Sequence, residues 1–404
     1  MTRIVTVTLI LAAGALAVLA QRRHAVLRNY PVLGHARFLM ERIRPELQQY
    51  FIERNFDGRA FDRDVRSIVY ERAKGTDAEE PYGTERDVYG PGHEFLVPSM
   101  APCPVPKSAP RVRIGGPDCD RPYDMALLNV SAMSFGSLSV NAVAALNGGA
   151  AAGNFAQDTG EGGLSDVKCV SLKLSQGAKP GIGGVLPGAK VNAEIARVRG
   201  VPEGRTVVSP PYHRVFSTPR ELVRFIARMR ELSGGKPTGF KLCVGSRRQF
   251  LAVCKAMLGE GTAPDFIVVD GAEGGTGAAP LEFADHVGTP LTEGLLTVHN
   301  ALVGAGLRDR IRVGVSGKIA TGTDLVKRMV QEATVASALQ IMASMGVTDP
   351  ADLRPHMLHR RIDPLTERSY EELYEWLQPG QLLAEPPESW TTDWKSADPD
   401  RFTV

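Results

Sequence analysis

From Met125 onward, short apolar runs alternate with longer stretches in which apolar residues recur every three or four positions. The runs Met125–Val130, Val170–Leu174, Phe240–Val244, Phe266–Asp270 and Ile311–Val315 read as strands, because near-continuous apolarity over a few residues marks strands of a buried parallel sheet. Helical spacing predicts helices over Leu138–Ala152, Glu221–Leu232, Arg247–Leu258, Leu295–Val303 and Thr323–Glu332. The second of these carries its own boundary signals: Thr218 as N-cap, Pro219 at the first helical position and Gly234 past the end. Repeated strand–loop–helix units predict an α/β fold with a parallel sheet. Every strand ends in a small-residue or charged loop, which favours a TIM-like (β/α) barrel, where such loops gather at one face. About six strand candidates stand against the eight of a closed barrel, so the expected barrel lacks about two.

Upstream the pattern changes. Ile4–Ala20 is uncharged and mostly apolar, and as a helix it would span roughly 25 Å, near the lower limit for a bilayer crossing. Arg3 precedes it, and Arg22, Arg23, His24 and Arg28 follow. That asymmetry predicts a single-pass cell-membrane anchor with a cytoplasmic body. A cleaved signal peptide ending at Val18-Leu19-Ala20, or a buried helix, is the alternative. Residues 36–73 have helical spacing, with Pro45 placed to start a second helix. Between Gly75 and Pro122 prolines are dense, which predicts an extended connection. The expected division is therefore 1–23 anchor, 24–122 lead-in and connection, 123–346 barrel and 347–404 C-terminal extension.

Composition narrows the function classes. In 404 residues, 43% apolar and 23% charged content describes a globular chain with a core, and a net charge of +2 points to no nucleic-acid partner. Cys103, Cys119, Cys169, Cys243 and Cys254 are widely spaced, without a CxxC pair or a zinc-like cluster, so no metal site and no iron–sulfur cluster is expected.

Four loops share a composition: SAMSFGS (131–137), QGAKPGIGG (176–184), DGAEGGTGAAP (270–280) and SGKIATG (316–322); DTGEGG (158–163) belongs with them. At one barrel mouth they would form a glycine-lined cavity carrying Glu161, Lys179, Lys241, Glu273 and Lys318. Glycines such as Gly274 and Gly275 let backbone N–H groups approach an anion or a flat cofactor. Backbone donors near Gly317 and Thr321 could cradle a phosphate at a helix N-terminus. Lys241 lies inside a strand between apolar neighbours, where a lysine is costly unless paired, so it is expected to face a ligand. Met133 and Ser134 could pack on a flat ring or simply fill the rim. His213, in SPPYHRVFSTP, reads as structural more readily than as an acid–base group.

In this order the loops resemble the FMN-binding synthase barrel of glutamate synthases, above all the single-chain, membrane-anchored proteins of that family. The resemblance rests on NVSAMSFGSLS (129–139), DTGEGG, LKLSQGAKPG (172–181), FKLCVG (240–245), VVDGAEGGTGAAP and SGKIATG. It implies an oxidoreductase in which reduced FMN, recharged by an external electron donor, converts 2-oxoglutarate and ammonia to L-glutamate. By position it places Lys241 against the flavin as a catalytic residue. Ala132, Met133, Ser134, Gln176, Gly274, Gly275, Ser316, Gly317 and Lys318 would also hold the cofactor, and Lys179 and Glu161 the substrate, with Lys179 pairing a substrate carboxylate in catalysis. Ile182 and Val185 stand where glutamate synthases have Glu and Gln, so another substrate is an alternative. Segments found in the family are missing near Ser165–Val167 and Glu332–Thr334, so a remnant with an incomplete flavin site is the other alternative.

Overall fold

The computed structural model describes residues 29–30, 33–50, 60–75, 82–84, 86–133, 138–160, 167–277, 279–329 and 336–402. The chain divides into two compact units, Met1–Glu79 and Glu80–Val404.

The first unit holds helices α1 (Leu33–Tyr50) and α2 (Arg63–Lys74). Asp62 caps α2 by accepting from the Val65 N–H, and Gly75 closes it in the left-handed region at φ 66°. Pro45 starts no second helix: α1 runs through it. Proline has no N–H to give, so one rung of the ladder is missing, while the turns on either side keep theirs. The membrane anchor is also corrected. No helix among the described residues is long and apolar enough to cross a membrane, and Ile4–Ala20, on which the anchor and cell-membrane placement rested, lies outside the described residues.

The second unit opens with β1 (Glu94–Leu96), β2 (Arg111–Ile114), β3 (Tyr123–Ala126) and α3 (Val140–Gly153). Then come β4 (Val170–Lys173), β5 (Val185–Leu186), α4 (Ala193–Arg199), β6 (Val207–Val208), α5 (Pro219–Leu232), β7 (Thr238–Leu242), α6 (Arg247–Glu260) and β8 (Phe266–Asp270). After these follow α7 (Leu281–His286), α8 (Leu291–Gly304), β9 (Arg312–Ser316), α9 (Gly322–Met329), α10 (Ala336–Ser344), β10 (Leu358–Asp363), β11 (Thr366–Ser369) and three short C-terminal helices, α11 (Tyr370–Leu373), α12 (Gln381–Ala384) and α13 (Glu388–Ser396).

The central element is a four-stranded parallel sheet in the order β4-β7-β8-β9, so the fold is α/β. The stretch Met125–Val130 does not join it. Instead β3 pairs antiparallel with β2, Val112 opposite Met125, and only Val130 makes a parallel bridge, to Gln157. Apolarity marked the strand but could not choose its partner, which lies upstream in RVRI between Pro110 and Gly115.

Side chains alternate across the sheet. Phe240, Ile267, Val269 and Val313 point to one face and are buried. Leu222, Val223 and Ile226 of α5, Leu251, Cys254 and Met257 of α6, and Leu295, Val298 and Leu302 of α8 pack into the same core. Helix α5 starts where its sequence said it would, with Thr218 Oγ1 accepting from the Glu221 N–H. Leu377, Leu382, Trp390 and Ala397 from the C-terminal extension complete this core. The opposite face carries Lys173, Gly239, Lys241, Val268, Asp270, Gly314 and Ser316, and register lines them up: Lys173 pairs Lys241, Lys241 pairs Val268, and Asp270 pairs Ser316. A second sheet, β1-β10-β11, joins the lead-in to the C-terminal extension through Phe95 opposite His359.

Candidate active site

The polar residues of the open sheet face meet at the C-terminal strand ends. Lys241 Nζ lies 3.3 Å from Asp270 Oδ1 and donates to Ser316 Oγ at 3.3 Å. The Lys241 and Asp270 side chains are only 13% and 7% exposed, so the pair is largely shielded from water. The second carboxylate oxygen of Asp270 accepts the Gly177 N–H at 2.8 Å. Ser316 Oγ is in turn 3.5 Å from Ser131 Oγ. Three adjacent strands and the loops after β3 and β4 are thus joined by one hydrogen-bonded chain.

The glycines fall into two kinds. A Cβ on Gly177 would sit 1.7 Å from the Gly271 carbonyl oxygen, and one on Gly271 would meet Glu273 and Leu291 at 2.5 Å. These positions must be bare for the loops to touch. At Gly275 and Gly277 a Cβ would meet nothing within 4 Å, and neither has a positive φ. Packing and backbone leave those two positions open space. Nearby, Gln176 Nε2 donates to Thr276 Oγ1 at 3.3 Å, holding the loops after β4 and β8 together.

Past β9, Gly317 (φ 133°) and Lys318 (φ 48°) turn the chain sharply, and Lys318 is one of few non-glycine residues in that region. Among the described residues the Gly317 and Lys318 amides meet no acceptor. The donors near Thr321 are taken: Asp324 Oδ2 accepts from the Ala320 N–H at 3.3 Å, the Thr321 N–H at 2.9 Å and the Thr321 hydroxyl at 2.8 Å. The expected cradle at the start of α9 is therefore occupied by the helix's own carboxylate. Glu273 also leaves the cavity, since its carboxylate accepts the Leu291 N–H at 3.2 and 3.0 Å and caps α8.

Lys173, missed in the sequence, stands beside Lys241 in register. It is exposed on the open face, so water still reaches its ammonium. Even so, partial desolvation, then the charges of Lys241 and Lys179, push it below the ordinary lysine value, against the pull of Asp270 and Asp158. Alternation within LKLS was the signal that could have found it. Asp270 was read only as the end of a strand. His213 Nε2 bonds the Lys173 carbonyl oxygen at 3.0 Å and stacks on Phe216 at 4.9 Å, a structural role. Ala132 and Met133 follow Ser131 and are half-buried. Ser134 and Glu161 lie outside the described residues, as do most residues at the two expected gaps. A cavity of about 500 Å³ lined by Val97, Ser99, Met345, His356, His359 and Glu372 shares no residue with the strand-end site.

Comparison with known proteins gives three findings. The family described as "Conserved region in glutamate synthase" matches residues 164–349. Glutamate synthase large subunit-like protein YerD of Bacillus subtilis (strain 168) is 31% identical over 381 residues, covering 74% of this chain and 72% of that protein. Archaeal glutamate synthase [NADPH] of Methanocaldococcus jannaschii is 34% identical over 227 residues, 49% of this chain and 44% of that enzyme, so this chain spans under half its length. Among solved structures, a flavocytochrome b2 double mutant with pyruvate bound covers 90% of this chain and 98% of that one, with 14% identity and a TM-score of 0.41.

Proposed function

This chain belongs to the glutamate synthase family, and from that premise we propose that it is an FMN-dependent oxidoreductase that reductively aminates 2-oxoglutarate with ammonia, drawing electrons from an external donor. The observation that carries the reading is the strand-end constellation of Lys241, Asp270 and Ser316 next to Gly275 and Gly277, which neither packing nor backbone requires to be glycine. A flat cofactor would occupy the space that a Cβ would fill. The parallel sheet is read as an arc of a (β/α) barrel. Buried helices pack on one face only, among the described residues, and the other carries the charged residues, whereas a doubly wound sheet has helices on both.

The residues present fit the cofactor. The Gly317 and Lys318 amides would hold its phosphate. Lys241 would place a fixed positive charge beside the ring edge that gains electrons, and Gln176 would hydrogen-bond the ring. When bound, FMN supplies the hydride-transfer chemistry. Lys179 and Lys173 would attract and orient the substrate carboxylates, and the cluster of like charges keeps that attraction strong while water is displaced. One observation favours a different 2-oxo acid: Ile182 and Val185, just past the Lys179 turn, are exposed apolar side chains. Titrating the protein with FMN, followed by flavin absorbance and fluorescence quenching, tests the first step. Mixing the reduced holoprotein with ammonia and 2-oxoglutarate, pyruvate or a branched 2-oxo acid tests the second. A chain that binds no FMN, or a reduced flavin that none of these reoxidises anaerobically, would sink the proposal.

A further inference from the structure

We propose that Asp270 is a positioning residue that fixes the Lys241 ammonium and ties it to the Gln176–Lys179 turn, so that the two halves of the site move as one. The geometry behind this is the divided use of one carboxylate. Oδ1 faces Lys241 Nζ at 3.3 Å, while Oδ2 takes the Gly177 N–H at 2.8 Å. Gly177 directly follows Gln176 and lies two residues before Lys179. It is buried, and its contact with the Gly271 carbonyl leaves no room for the loop to shift inward. Any displacement of that turn therefore pulls on the carboxylate that holds Lys241.

Charge makes the same point. Lys241 shares its face with Lys173 on β4, and Lys173 also senses Lys179 from the following loop. The negative groups that act on this cluster are Asp270 and, from the loop before β4, Asp158. Ser316 on β9 offers Lys241 only a neutral hydroxyl. Among these groups the Asp270 carboxylate is the one in direct contact with the buried ammonium. Without it, Lys241 would stand beside Lys173 with no contact counter-charge and would swing away toward solvent.

The inference deepens the proposed function, since an ordered Lys241 matters most if it faces a flavin, but the geometry stands without the cofactor. The test therefore uses the flavin-free full chain. Lysines are acylated competitively with acetic anhydride at about pH 8, and each site is quantified by mass spectrometry. In D270N, which keeps the shape and removes the charge, acylation of Lys241 should rise at least about tenfold, because nothing then holds the largely buried ammonium in place. Acylation of the exposed Lys395 on α13 should stay constant. In D270A, amide exchange at Gly177 should speed up at least about tenfold, because that hydrogen bond loses its acceptor. A Lys241 rate within about twofold of wild type in D270N, or an unchanged Gly177 exchange rate in D270A, overturns the proposal. If neither variant folds, the wild-type chain still decides: Lys241 reacting as fast as the exposed Lys395 would mean that nothing holds it. Failure of FMN binding would sink the proposed function and leave these results standing, so the two failures are distinguishable.

Discussion

Replacing Lys241 by Met removes the ammonium and leaves Asp270 as a carboxylate that is 7% exposed with only the Gly177 N–H on it. At the observed 3.3 Å the pair's attraction is about 5 kcal/mol at an effective dielectric of 20. Part of that offsets the desolvation of both ions, and part returns in the apolar packing of the Met side chain. Removing one partner of a buried pair typically costs about 3–5 kcal/mol. Because the Gly177 bond survives and the face is open, the lower end applies, about 3 kcal/mol near pH 8. Urea unfolding of wild type and Lys241→Met at about pH 8 measures this directly. The double variant Lys241→Met, Asp270→Asn should recover most of the loss, since no charge is then left buried. A loss below about 1 kcal/mol, or no recovery in the double variant, would refute the reasoning.

Gly177→Ala should unfold the protein or lower its stability by more than about 3 kcal/mol, since its Cβ would lie 1.7 Å from a backbone oxygen that has nowhere to go; thermal unfolding checks it. Gly275→Ala, whose Cβ meets nothing within 4 Å, should leave the melting temperature within about 2 °C while weakening FMN binding, read by fluorescence titration. His299 is pushed down to about 4, first by burial and then by the Arg308 charge. Its folded value is below the ordinary 6.5, so the unfolded chain binds the proton more readily, and up to about 3 kcal/mol of stability should be lost as pH falls from 6.5 to 4. His299→Gln should flatten that slope in denaturant unfolding. Glu273→Gln should weaken the α8 cap by about 1 kcal/mol without changing the rate of Lys241 acylation.

The strands and helices around the site were legible where one short-range signal decided them. Thr218, Pro219 and Gly234 bounded α5 because caps act within one turn. Phe266–Asp270 read as a buried strand because its apolar run needs no knowledge of its neighbours. Partner choice was not legible, as β3 shows, because the strand it joins is separated from it by a turn whose geometry no periodicity encodes. The site divided in the same way. Lys241 was flagged by its own chemistry, a cation among apolar residues. Asp270 was not, since a carboxylate at a strand end looks like the first residue of a loop. Its partners come from three other segments, on β7, β9 and the loop after β4, and only the sheet register brings them together. Glu273 and Thr321 were flagged for composition and proved to be spent on helix ends.

That last contrast separates architecture from ligand chemistry at this site. A glycine-rich loop is ambiguous because glycine serves both close backbone contact and ligand approach. The structure divides them residue by residue: Gly177 and Gly271 are bare because another backbone or side chain fills the space, whereas at Gly275 and Gly277 nothing among the described residues does. Polar groups sort by the same criterion. Glu273 and the Thr321 amide have internal partners that account for them fully, whereas among the described residues the Gly317 and Lys318 amides meet no acceptor and Lys173 is exposed. These residues lie past the C-terminal ends of adjacent parallel strands or on the face that leads to them. A fold that only needed stability would have filled that face with side chains, as it filled the opposite one with Phe240, Ile267 and Val313. Among the described residues that face is charged instead, and a cationic strand-end surface would suit the anionic, flat ligand proposed above.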